Sequence, residues 1–73
     1  MKNSIVLEDL SDKELLSLVN DINLPTVPSD SLLRTIALQK FGADNTMNFI
    51  QVGMLILPII AERMKHYSPH ITK

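Results

Sequence analysis

At 73 residues, with no cysteine and a formal net charge of −1, the chain has room for one domain and one core. Disulfides and thiolate metal sites are excluded, and no overall charge draws the chain to nucleic acid or anionic lipid. Folding at this length buries only roughly 60% of the surface the unfolded chain exposes, so stability is marginal unless association adds to it.

Residues 1–9 read as an extended arm. They hold a short β-branched run, "KNSIVL" at 2–7, and a lone short strand would find a pairing partner only in another copy of the molecule. No apolar run of signal-peptide length precedes a small-residue cleavage site, and the lack of cysteine suits a reducing compartment, so a cytoplasmic protein is expected.

The first helix, 12–22, has the clearest start. Ser11 and Glu14 have the spacing of a capping box, in which each side chain satisfies the other's backbone N–H, and Leu10 and Leu15 take the two positions of a hydrophobic staple. Leu15, Leu18, Val19 and Ile22 then recur at i, i+3, i+4 and i+7, one apolar stripe. Asp12 and Glu14 suit the positive end of the helix dipole. "NLPTVP", 23–28, is a stiff connection, because each proline lacks an N–H and turns the residue before it away from helix.

The second helix is predicted at 30–41, opened by Ser29 with Asp30 and closed by Gly42 as a residue able to adopt a left-handed conformation. Its apolar stripe is Leu32, Leu33, Ile36, Ala37 and Phe41, with Arg34, Thr35 and Gln39 on the other side.

The third helix, predicted at 45–67 with Asp44 as its cap, is apolar almost all round. From Met47 to Met64 only a wedge holding Gln51, Pro58, Glu62 and Lys65 is left at ~100° per residue. Such a helix has to be buried on nearly every side. Two short helices and a loop cover about two thirds of it, and the remainder needs a partner. Pro58 predicts a kink near Met54, with a break at Leu57 as the alternative, and Gly53 eases the bend and lets another backbone come close. Pro69 ends the helix near Ser68, leaving 69–73 as a frayed tail.

The fold expected is therefore all-α: a small three-helix domain whose kinked, apolar third helix is completed by dimerisation.

Charge is unevenly placed. Residues 1–30 carry six acids against Lys2 and Lys13, a balance of −4, and residues 31–73 carry five basic residues against Asp44 and Glu62, a balance of +3. The halves can pair within one chain or between two subunits.

Chemical motifs are lacking. Glu62, His66 and His70 stand four apart, but Pro69 interrupts the helix between the histidines and no further ligand completes a metal site. With two glycines in all there is neither a nucleophile elbow nor a phosphate-cradling loop. No catalytic residue, cofactor or metal is assigned, and no small-molecule substrate is expected. A helix-turn-helix reading of 12–42 offers DNA only Arg34, Gln39 and Lys40. A membrane reading rests on the uncharged run Asn45–Ala61, followed by Arg63, Lys65 and His66 as a flank. Met47, Met54 and Met64 serve either as core filler or as an adaptable surface.

The expected function is binding: a small regulatory or adaptor module that pairs with itself and docks onto another protein. Val52, Leu55, Ile56 and Ile59, on one side of the third helix, are the expected interface. Asp12, Glu14 and Asp21 of the first helix, with Arg63 and Lys65 of the third, are the charged residues expected to face a partner. A membrane-associated subunit and a DNA binder are the alternatives.

Overall fold

The computed structural model describes residues 5–67, with side chains through Lys65. It is all-α. A short 3-10 turn, Leu7–Asp9, precedes α1 (Asp12–Ile22), α2 (Leu32–Phe41) and α3 (Thr46–Tyr67). α1, α2 and the 3-10 turn all pack on α3. The expected frayed tail at 69–73 and the helix end near Ser68 lie outside the described residues, as do residues 1–4 of the arm.

α1 forms as its punctuation predicts. Ser11 N–H donates to Glu14 Oε1 at 2.8 Å and Glu14 N–H donates to Ser11 Oγ at 3.1 Å, the two halves of the capping box. Leu10 and Leu15 are both buried, so the staple turns the incoming chain onto the core. At the other end the Asn23 side chain donates to Val19 O at 2.8 Å.

α2 begins two residues later than expected. Ser31, not Ser29, is its cap: Ser31 Oγ accepts Leu33 N–H at 3.1 Å and donates to Asp21 Oδ2 at 2.5 Å. The buried hydroxyl thus joins the end of α1 to the start of α2, which Ser29 is too far back to do. Gly42 closes the helix at φ 87°, with its N–H on Leu38 O at 3.0 Å.

The cap of α3 also differs from expectation. Asn45 Oδ1 accepts Asn48 N–H at 2.9 Å, and Asn48 Nδ2 returns to Ala43 O at 2.7 Å. Asp44 pairs instead with Arg34 Nη1 at 3.1 Å. α3 is continuous over 22 residues with Pro58 inside it, so the alternative of a break at Leu57 is not realised.

The arm is only partly extended. Val6 has φ −95° and ψ 113°, but residues 7–9 wind into the 3-10 turn, which places Leu7 in the core. Ile5 N–H donates to Gln39 Oε1 at 2.8 Å. The segment is therefore held by α2 and α3 of its own chain, and among the described residues there is no strand.

The core is a single apolar cluster: Leu7 and Leu10 from the N-terminal segment, Leu15 and Leu18 from α1, Val27 from the connection, Leu33, Ile36 and Ala37 from α2, and Phe49, Val52 and Ile56 from α3. No buried side-chain nitrogen or oxygen among the described residues lacks a hydrogen-bond partner.

Candidate functional site

α3 carries two apolar stripes with nearly opposite directions. The inner one runs through Phe49, Val52, Ile56 and Ile59, spaced three, four and three; the first three are buried and Ile59 packs against them. The outer one runs through Met47, Ile50, Met54, Leu57, Ala61 and Met64, spaced three, four, three, four and three. All six are exposed, the five large ones from 51% at Ile50 to 69% at Met47. At 3.6 residues per turn both spacings keep to one side of a helix, and the two centres lie roughly 150° apart.

This division corrects the expected interface. Val52 and Ile56 are 0% and 1% exposed and are covered by the chain's own α1 and α2. Leu55 is exposed and Ile59 half-buried; with Glu8, Pro58, Glu62 and Arg63 they line a shallow recess beside the 3-10 turn. The four residues thus do not form one open face. The open face is the outer stripe.

α1 runs antiparallel beside this stripe and makes it a groove. One cavity of about 300 Å³ lies between Val19, Ile22 and Asn23 on one wall and Ile50, Gly53, Met54 and Leu57 on the other. A second of about 190 Å³, farther along, is lined by Leu15, Leu16, Ile60 and Met64 and ends at Asp12 and Arg63. Gly53 sets the closeness of the walls: a Cβ there would stand 3.1 Å from Ile22 Cδ1. The backbone approach expected at this glycine is not what the structure shows; the space is taken by an α1 side chain.

The charged residues expected to face a partner are engaged within the chain. Asp12 Oδ1 and Arg63 Nη1 are 2.7 Å apart, and Arg63 Nη2 donates to Glu8 O at 2.9 Å. Glu14 closes the capping box, Asp21 accepts from Ser31, and Lys65 sits 3.5 Å from Glu62. The −4 and +3 halves therefore meet inside one molecule across 51 residues of sequence.

Arg34 has a role the sequence did not reveal. Its Nε donates to Val27 O at 3.1 Å and Pro28 O at 3.0 Å, and its Nη2 to Val27 O at 2.6 Å. Nη1 holds Asp44, and the guanidinium lies 5.4 Å from the Phe49 ring centroid. One planar fork thus fastens the connection, the α2–α3 corner and the first turn of α3. With Arg34 so occupied and Gln39 holding the N-terminal segment, the DNA-facing set of Arg34, Gln39 and Lys40 reduces to Lys40.

Among the described residues no group of three or more His, Asp or Glu side chains is placed to hold a metal ion. Comparison of the chain with protein-family models, with curated proteins and with solved structures finds no match, so its function is read from its own surface.

Proposed function

We propose that the protein is a small, non-catalytic protein–protein interaction module, regulatory or adaptor in kind, that acts in the cytoplasm as a homodimer. The observation that carries this reading is the outer stripe of α3, six exposed apolar residues in unbroken three-four spacing. Monomeric soluble proteins rarely leave a contiguous apolar strip of this length open to water unless it binds something. Sedimentation equilibrium on detergent-free protein tests it. A mass twice that of the chain, falling to one chain on dilution, is the expected result; a monomer at all concentrations refutes the homodimer.

A second reading has its own observation. Thr46–Lys65 is 20 residues long and apolar enough, by length and composition, to cross a membrane, and little of it is buried. Attachment to a bilayer through α3 predicts that the protein floats with liposomes and needs detergent. The dimer is preferred because spanning would pull Phe49, Val52 and Ile56 out of the core they share with Leu18, Leu33 and Ile36.

A further inference from the structure

We infer that the occupant of the outer stripe is a second copy of the same stripe, lying antiparallel about a two-fold axis between Met54 and Leu57; this rests on the interaction reading above and specifies its partner and geometry. Three-four spacing is the pattern by which one helix seats its side chains between those of another. A lipid surface imposes no such register.

The order of residues distinguishes the two ways of pairing. In the antiparallel arrangement the layers are Met47 with Met64, Ile50 with Ala61, and Met54 with Leu57, each occurring twice. The one small residue of the stripe then faces a branched one, and every layer is filled. In the parallel arrangement Ala61 faces Ala61 and Ile50 faces Ile50, which leaves one layer empty and crowds another. Antiparallel pairing also separates Lys65 from its own copy and opposes the two α3 dipoles. No charge falls within the stripe to be desolvated.

The available area suits a dimer. The stripe from Met47 to Met64, about 25 Å long and ~10 Å wide, projects roughly 250 Å², and the exposed Leu16 of α1 widens it along one edge. Projecting methionines raise the true surface above this projection, toward the roughly 600–1,000 Å² per partner that specific complexes bury, which fits a small, reversible interface. Leu16, 69% exposed at the edge of the groove, is placed to close over the partner's helix.

The chain has no cysteine, so single cysteines make a clean test. Met47 and Met64 are exposed and 17 positions apart, about 25 Å along a helix, whereas a disulfide bridges Cα atoms no more than about 7 Å apart. Met47→Cys and Met64→Cys are refolded separately and as an equal mixture, then oxidised, with helix content checked by circular dichroism and mass by sedimentation. Antiparallel pairing predicts that neither variant crosslinks alone and that the mixture gives the 47-to-64 disulfide dimer. Crosslinking of each variant with itself means parallel pairing and overturns the inference while leaving the homodimer. A dimer that crosslinks in no sample uses another face and overturns it too. A monomer, or protein recovered only with detergent or liposomes, overturns the inference and the homodimer together. Leu57→Asp serves as the second variant: the helices persist and self-association weakens at least tenfold.

Discussion

Ile56 and Leu57 are neighbours in sequence, and their replacement by alanine is expected to have opposite consequences. Ile56 is 1% exposed, in the core with Leu18, Leu33 and Ile36, and Leu57 is 61% exposed on the outer stripe. Truncating a buried isoleucine costs about 2–5 kcal/mol. A domain of this size has roughly 4–11 kcal/mol in total, so a loss of about 3 kcal/mol at Ile56→Ala removes about a quarter to three quarters of it. At about 4–8 °C per kcal/mol, a loss near 3 kcal/mol lowers Tm by roughly 12–24 °C. Leu57→Ala leaves no cavity and changes helix propensity little, so in dilute monomer its effect stays within about 0.5 kcal/mol. At concentrations where the dimer forms, the same change removes one contact from each of two symmetric layers, and the dissociation constant rises by at least about tenfold. The assay is thermal denaturation followed by circular dichroism across a hundredfold range of protein concentration, beside sedimentation of both variants. Equal destabilisation by both at every concentration would refute the division of α3 into an inner and an outer face.

Other changes probe how the fold is held. Arg34→Lys keeps the charge but loses the fork that holds the Val27 and Pro28 carbonyls; a cost of about 2 kcal/mol is expected, with faster amide exchange across residues 24–27 as its local signature. Unchanged exchange there would deny Arg34 its role as a clamp. Gly42→Ala forces a side chain to φ 87° and is expected to cost about 1–2 kcal/mol by urea denaturation, although nothing within 4 Å obstructs the new Cβ. Arg63→Ala is expected to cost no more than about 1 kcal/mol, because the Asp12 side chain is 54% exposed and the pair is screened by solvent. A loss of several kcal/mol would mean that this contact closes the fold.

What could be read ahead of the structure was local. The Ser11–Glu14 box and the left-handed Gly42 are written in residues three or four apart, and α1 begins and α2 ends where they place it. The choice between Ser29 and Ser31, and between Asp44 and Asn45, was not legible, because both candidates in each pair are good caps and tertiary contacts decide. Asp21 claims the Ser31 hydroxyl and Arg34 claims Asp44. Arg34 itself looked like a surface cation because most of its acceptors are backbone carbonyls, which leave no trace in side-chain pattern. The outer stripe was hidden for a related reason. When apolar residues occupy nearly all of a helix, periodicity no longer tells which side α1 and α2 will cover, and Val52 and Ile56 were as eligible for the open face as Met54 and Leu57. Once the inner stripe was assigned, the remaining apolar residues fell into three-four spacing.

The inner core also bears on how the outer stripe is used. An obligate dimer leaves an unfinished core in each subunit when the partners part. Here Val52 and Ile56 close against α1 and α2 within one chain, and the buried side-chain polar atoms are satisfied among the described residues, so the single subunit is a complete fold. Pairing of the outer stripe then adds apolar burial alone, and three of its six side chains are methionines, which repack against varied surfaces. On the proposed pairing the dimer is a reversible state in which the binding face covers itself, and an amphipathic helix with the same spacing is expected to compete for it. Because each dimer must open before a competitor binds, the apparent affinity for that helix falls as this chain's own concentration rises. Fluorescence anisotropy of a labelled helical peptide, titrated with the wild-type chain and with Leu57→Asp, measures this. A peptide whose affinity is the same at every protein concentration, or undiminished by Leu57→Asp, binds elsewhere and would separate the docking surface from the outer stripe.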